Sequence, residues 1–151
     1  MTSRGEQLLR MFIKRCFPKF IQKYNVRDLG IVNTITKAPL EIDIYLPELR
    51  LGFEFQGGQH RTDPEQKKRD IMKQLQCKKR GILLINIWTA TLIGLNEYLL
   101  SKLSNYPIKQ PSKTFLEYFN AEANEYKKNI YKMNSSIKSN TFIKRYKRGR
   151  K

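Results

Sequence analysis

The chain has two cysteines, one histidine and one tryptophan in 151 residues, and only 13 acidic residues against 30 lysines and arginines. Each shortage excludes something. Cys16 and Cys77 form no CxxC pair, so neither a zinc knuckle nor a disulfide framework is indicated, and a reducing compartment fits best. Long apolar runs are missing. The most apolar segment, Ile82 to Leu95, is interrupted by Asn86 and is too short to span a bilayer. The N-terminus lacks the charged start and apolar run of a secretory signal and reads as an amphipathic helix, so no signal peptide is expected. There is no internal repeat and no low-complexity tract.

What is abundant is positive charge. A formal charge of +17 in a chain this small calls for a polyanionic partner, most often nucleic acid. The acids are concentrated: nine of the 13 precede residue 71, and the end of the chain, Lys144-Arg145-Tyr146-Lys147-Arg148-Gly149-Arg150-Lys151, has none. Richness in Lys, Ile, Asn and Tyr points to an AT-rich genome such as that of a virus, phage or organelle. The expected location is intracellular: the cytoplasm, or the nucleus or an organelle of a host.

Ser3-Arg4-Gly5-Glu6 forms a capping box that opens a helix carrying Leu8, Leu9, Phe12, Ile13 and Cys16 at helical spacing, stopped or bent at Pro18. Ile31 to Thr36 is β-branched enough for a strand. Asp63-Pro64-Glu65-Gln66 starts a second helix, with Ile71, Met72 and Leu75 inward, lysines and arginines outward, and an end near Arg80-Gly81. Ile82 to Trp88 reads as a strand buried on both faces, reached by a parallel crossover. A helix follows from Thr89 or Thr91 to about Leu103. Tyr106 to Pro111 reads as a linker, and a capping box at Thr114 starts a helix to about Met133, followed by a loose polar stretch, 134–140. The expected architecture is α/β, with a mixed sheet, a core over 1–106, and a linker, helix and basic tail over 107–151.

The most informative stretch is Leu40 to His60, which alternates apolar and polar residues on both sides of Pro47-Glu48 and reads as a β-hairpin. Leu40, Ile42, Ile44 and Leu46 should share one face of the first strand, and Leu49, Leu51, Phe53 and Phe55 one face of the second. Asp43, Glu54 and Gln56 then fall on the other face, with the two carboxylates opposite or diagonal. Two converging acids in a strongly basic protein suit a hard divalent cation, Mg²⁺ or Mn²⁺, which would polarise a phosphate and acidify a bound water. His60, just past the Gly57-Gly58 break, is placed to act as general base or as a metal ligand.

The element order α, β, β, β, α, β, with Asp on the second strand and Glu-x-Gln on the third, resembles the core of the PD-(D/E)XK (restriction-endonuclease-like) nuclease superfamily. Gly57-Gly58-Gln59-His60, Arg69-Asp70 and Gly81 to Ile85 are similar to the very-short-patch-repair endonucleases and to homing endonucleases with the motif E, D, x, H, D. The resemblance covers roughly residues 3 to 90. It implies a metal-dependent DNA endonuclease with Glu6, Asp43, Glu54, Gln56, His60 and Asp70 at the site and Asp43 and Glu54 on the metal. Gln56 departs from the usual lysine; a neutral amide orients water or offers a carbonyl oxygen but is no base.

Two of these residues have simpler readings. The capping box accounts for Glu6, and exposed ion pairs with Lys67 and Lys73 account for Asp70. DNA contacts are expected from Lys67, Lys68 and Arg69 and from the tail residues Lys144, Arg145, Lys147, Arg148, Arg150 and Lys151. The alternatives are a non-catalytic nucleic-acid-binding protein with a decayed nuclease core, supported by Gln56, and a resolvase-like nuclease for branched DNA, acting as a dimer.

Overall fold

The computed structural model describes residues 2–57 and 63–149, with side chains described as far as residue 132. Helix α1 (Arg4–Cys16) opens on Ser3, whose Oγ accepts the Glu6 backbone N–H at 3.1 Å. Leu8, Leu9, Phe12, Ile13 and Cys16 form its buried stripe, as their spacing requires. Gly5 lies so close to the Phe55 ring that a Cβ there would overlap it.

Four strands make one mixed sheet in the order β1 (Lys23–Val26), β2 (Ile42–Leu46), β3 (Leu51–Gln56), β4 (Leu83–Trp88). The first three are antiparallel neighbours and β4 runs parallel to β3. Helix α2 (Pro64–Lys79) supplies the crossover. It starts as expected, with Asp63 accepting the Glu65 N–H at 3.0 Å and Pro64 in the first turn, and Gly81 follows it at φ 69°. The chain is therefore α/β, with helices on a four-stranded sheet.

The strand expected over Ile31–Thr36 is not formed; β1 lies earlier. Asn33 Oδ1 accepts the N–H groups of Ile35 and Thr36 at 2.9 and 3.2 Å, and Lys37 takes φ 64°, so the segment is a turn closed by a single Val32–Pro39 bridge. A local side-chain acceptor outcompetes β-propensity there. The helix expected from Thr89 or Thr91 is also divided. A 3-10 turn (Ala90–Leu92) precedes Gly94 at φ 79°, and only then does α3 (Leu95–Lys102) begin.

The final helix, α4 (Lys113–Gly149), is capped by Ser112 rather than Thr114, with Ser112 Oγ accepting the Phe115 N–H at 3.2 Å. It continues past Met133 through the stretch expected to be loose, because no Gly or Pro interrupts residues 113–148. Its first turns belong to the core rather than to an appendage: Phe115, Phe119 and Ala123 pack with Phe12, Ile44, Phe53, Ile87 and Leu99. Among the described residues no helix is long and apolar enough to cross a membrane.

On the sheet's other side a smaller cluster joins Val26, Ile31, Leu40, Ile42, Cys77 and Leu84. Strict alternation would put Ile42 with Ile44, yet the two lie in different clusters. The phase breaks at Asp43, the residue that the β1–β2 register sets across from Asn25, itself at φ 53°.

Candidate functional site

The β2–β3 register pairs Leu46 with Leu51, Tyr45 with Gly52 and Ile44 with Phe53; continued by one step, it sets Asp43 opposite Glu54. There the ladder gives way to a side chain. Asp43 Oδ2 accepts the Phe55 N–H at 2.8 Å, a strong charge-assisted bond that fixes the carboxylate. Glu54 is 5% exposed and receives Lys73 Nζ from α2 at 3.1 Å. The lysine is itself largely buried. Gln56, also buried, donates Nε2 to Asn86 Oδ1 of β4 at 3.2 Å.

Electrostatics tie Glu6 to this pair. Burial, and then the Asp43 charge, hold the Glu54 carboxyl well above the usual carboxylate range, with Lys73 pulling it down. Asp43 is raised by burial, against the opposing Phe55 N–H and Lys73. Glu6 is raised by burial and by Asp43, and is partly offset by Arg10, whose Nη2 lies 3.3 Å from Glu6 Oε2. The Asp43 charge thus raises the proton affinity of both Glu54 and Glu6. The capping reading of Glu6 covers only its backbone N–H; its carboxylate faces Arg10 and Asp43.

The remaining candidates are distributed around this centre. Asp70 accepts Gln66 Nε2 at 3.1 Å and lines a cleft between α2 and β4, beside the pair rather than within it. Lys67 lines the same cleft, and Lys68 is paired with Glu65 at 3.5 Å on the exposed face. Arg69 joins Arg27 and Lys73 around a polar cavity of about 300 Å³ next to Glu41. His60 lies outside the described residues. So do the side chains of Lys144, Arg145, Lys147 and Arg148, and all of Arg150 and Lys151.

Sequence reasoning missed Lys73 and, of the three α2 residues expected inward, placed only Met72 correctly. Ile71 and Leu75, expected inward, are 60% and 57% exposed, while Met72, Lys73 and Cys77 face the sheet. The available signal was spacing: Lys73 lies one turn before Cys77, a residue type that is most often buried. A lysine follows it inward only because Glu54 waits there.

Among the described residues no three His, Cys, Asp or Glu side chains are grouped to hold a metal ion. The Asp43–Glu54 pair nevertheless offers hard oxygens whose mutual repulsion a cation would relieve, and the Lys73 ammonium already occupies that role at Glu54.

No family model and no solved structure matches the chain. It is 31% identical over 115 residues to Uncharacterized protein 033L of Invertebrate iridescent virus 3, covering 68% of this chain and 58% of the relative. It is 36% identical over 97 residues to Uncharacterized protein 094L of Frog virus 3 (isolate Goorha), covering 56% of this chain and 61% of the relative. The chain spans about six tenths of the length of these curated relatives. Both are viral proteins, a source that the Lys, Ile, Asn and Tyr usage had suggested.

Proposed function

We propose that the chain is a metal-dependent DNA endonuclease built on a PD-(D/E)XK-like core. One observation carries the reading: Asp43 and Glu54, opposed on a hairpin and largely buried, meet a buried lysine from the following helix in a protein of formal charge +17. Structural carboxylates are rarely placed together at the cost of raised proton affinity, whereas reacting ones are. The order α, three strands, α, strand, with the last strand parallel to the third, agrees with that core.

Asp43 and Glu54 would hold Mg²⁺ or Mn²⁺, leaving its other positions to water and to a phosphate oxygen. The ion supplies polarisation of the phosphate and a more acidic water. The chain's own residues do the rest. The Phe55 N–H keeps Asp43 aimed, Lys73 brings the positive charge that the neutral Gln56 lacks, and Gln56 is held by Asn86 to orient a water. His60 is the proton acceptor in this reading, and Glu6 with Arg10 borders the site.

Lys73 also weighs against a decayed core, since the positive charge lost at position 56 is present from another element. The test is incubation with supercoiled plasmid and with branched DNA in Mg²⁺, Mn²⁺ or EDTA. Metal-dependent cleavage that is lost in Glu54→Gln supports the reading. Cleavage in EDTA, or a fully active Glu54→Gln, refutes it.

A further inference from the structure

Helix α2 leaves Ile71 and Leu75, one turn apart, exposed to solvent. An amphipathic helix on a sheet ordinarily buries such a pair. Here they line a cleft of about 710 Å³ together with Asn86 and Trp88 of β4. That size is within the roughly 300 to 1,000 Å³ of small-ligand sites.

Polar groups also converge there. Gln74 gives Nε2 to the Leu84 carbonyl at 3.2 Å, and Asn86 uses Oδ1 to hold Gln56. Both residues line the cleft, and these bonds leave an acceptor, Gln74 Oε1, and a donor, Asn86 Nδ2, unused. Asp70 adds a second acceptor and Lys67 a cation. Aliphatic walls, an amide donor and acceptor, and a nearby cation complement a flat ring with a hydrogen-bonding edge and an anionic attachment. A nucleobase on its phosphate backbone has all three features. A base inside a duplex is stacked and paired, so only an extruded or unpaired one enters such a cleft.

The cleft also adjoins the carboxylates. Asn86 is the β4 partner of Glu54 in the parallel ladder, about one strand spacing of 4.8 Å away. A base lodged beside Asn86 therefore belongs to a nucleotide next to the phosphate held at Glu54.

We propose that the α2–β4 cleft receives an unpaired nucleobase of the DNA strand being cut, so that the protein prefers DNA with a bulge, flap or single-stranded junction at the cleavage site. The inference rests on the endonuclease reading for the fate of that strand, and its binding test is independent of cleavage.

Trp88 is the only tryptophan, so intrinsic fluorescence reports on the cleft directly. The full chain in EDTA is titrated with a paired duplex, the same duplex with one unpaired adenosine, and the same duplex with an abasic residue at that position. The expected result is a saturable emission change with the adenosine bulge only, and binding about tenfold tighter than to the abasic bulge. Ile71→Ser combined with Leu75→Ser, at exposed positions that the fold does not need, should erase that advantage. Equal affinity for the adenosine and abasic bulges overturns the proposal. So does an emission change that follows protein concentration without DNA, which would mean that a second copy covers the cleft. Metal-dependent cleavage indifferent to the bulge would overturn this inference and leave the endonuclease reading standing. Bulge recognition without cleavage in Mg²⁺ or Mn²⁺ would do the reverse.

Discussion

Asp43→Asn should make the protein more stable and catalytically dead. The wild-type carboxylate is raised in proton affinity by burial and has Glu54 on one side and Glu6 on the other. Two carboxylates about 4 Å apart repel by roughly 1 to 4 kcal/mol at effective dielectrics of 80 to 20. Asparagine removes that repulsion, while its Oδ1 keeps an acceptor for the Phe55 N–H, which stands 2.8 Å from the carboxylate. The weaker neutral bond returns about 1 kcal/mol of the gain. A net gain of up to about 3 kcal/mol remains, or at most roughly 6 to 12 °C in Tm for a chain of this length. The effect must depend on pH. All three carboxyls are raised in the folded state, so the fold binds more protons than the unfolded chain between their ordinary values near 4 and their raised ones. Their unfavourable contribution is absent at low pH and grows as the pH climbs through the raised values. Wild-type Tm should therefore rise as the pH falls from 7.5 toward 5, and the advantage of the variant should shrink over the same range. Thermal denaturation in EDTA at the two pH values measures both. A variant less stable than wild type at pH 7.5, or an advantage that grows on acidification, would refute the electrostatic account. Added Mg²⁺ should then stabilise the wild type and leave the variant unmoved.

Other predictions follow from the same geometry. Lys73→Met leaves Glu54 buried without its ammonium, so cleavage should fall by at least about a hundredfold, and Tm should drop more at high pH than at low pH, because the raised proton affinity of Glu54 lets acid neutralise it; equal losses at high and low pH would count against a charged pair. Gly5→Ala should destabilise by about 1 to 3 kcal/mol through overlap with Phe55, against the roughly 1 kcal/mol gain that helix propensity alone would give, and a Tm that rises would mean that the ring simply moves. His60→Ala should slow cleavage by roughly 10² to 10⁴ with DNA affinity unchanged, and a near-normal rate would remove it from the mechanism. Deleting Lys144 to Lys151 removes six cations and should flatten the log–log salt slope of duplex binding by up to about 5, while sparing cleavage of saturating DNA at low salt; an unaltered slope would mean that the tail does not touch the phosphates.

The part of the site that depends on local rules was legible in the sequence. Period two and a short turn set Asp43 and Glu54 opposite each other, and capping chemistry marked Ser3 and Asp63. The parts that depend on what waits across a layer were not. Lys73 goes inward because Glu54 is already there, and its type argues for solvent. Ile71 and Leu75 look like a core stripe because the alternative, a solvent-open cleft, leaves no local mark. Ile42 leaves the phase of its strand at Asp43, whose side chain takes the Phe55 N–H, and no alternation of types encodes that break. The Ile31–Thr36 segment was lost to one side-chain oxygen, that of Asn33.

Helix α2 is attached to the sheet by an unusual set of fasteners. Cys77 is its one fully buried residue and Met72 packs partly buried against the same cluster; the other attachments are polar, from Lys73 to Glu54, Gln74 to the Leu84 carbonyl, and Gln76 to both the N–H and the carbonyl of Val32. Each neutral tie is worth only about 0.5 to 1.5 kcal/mol net, less than a buried leucine contributes, and the charged Lys73–Glu54 bond alone is stronger. The backbone amides of α2 should therefore exchange with deuterium through local opening, well before those of α1, whose apolar stripe is anchored in the main core. Opening of α2 would uncover Glu54, so its amides should exchange more slowly once a ligand occupies the space beneath.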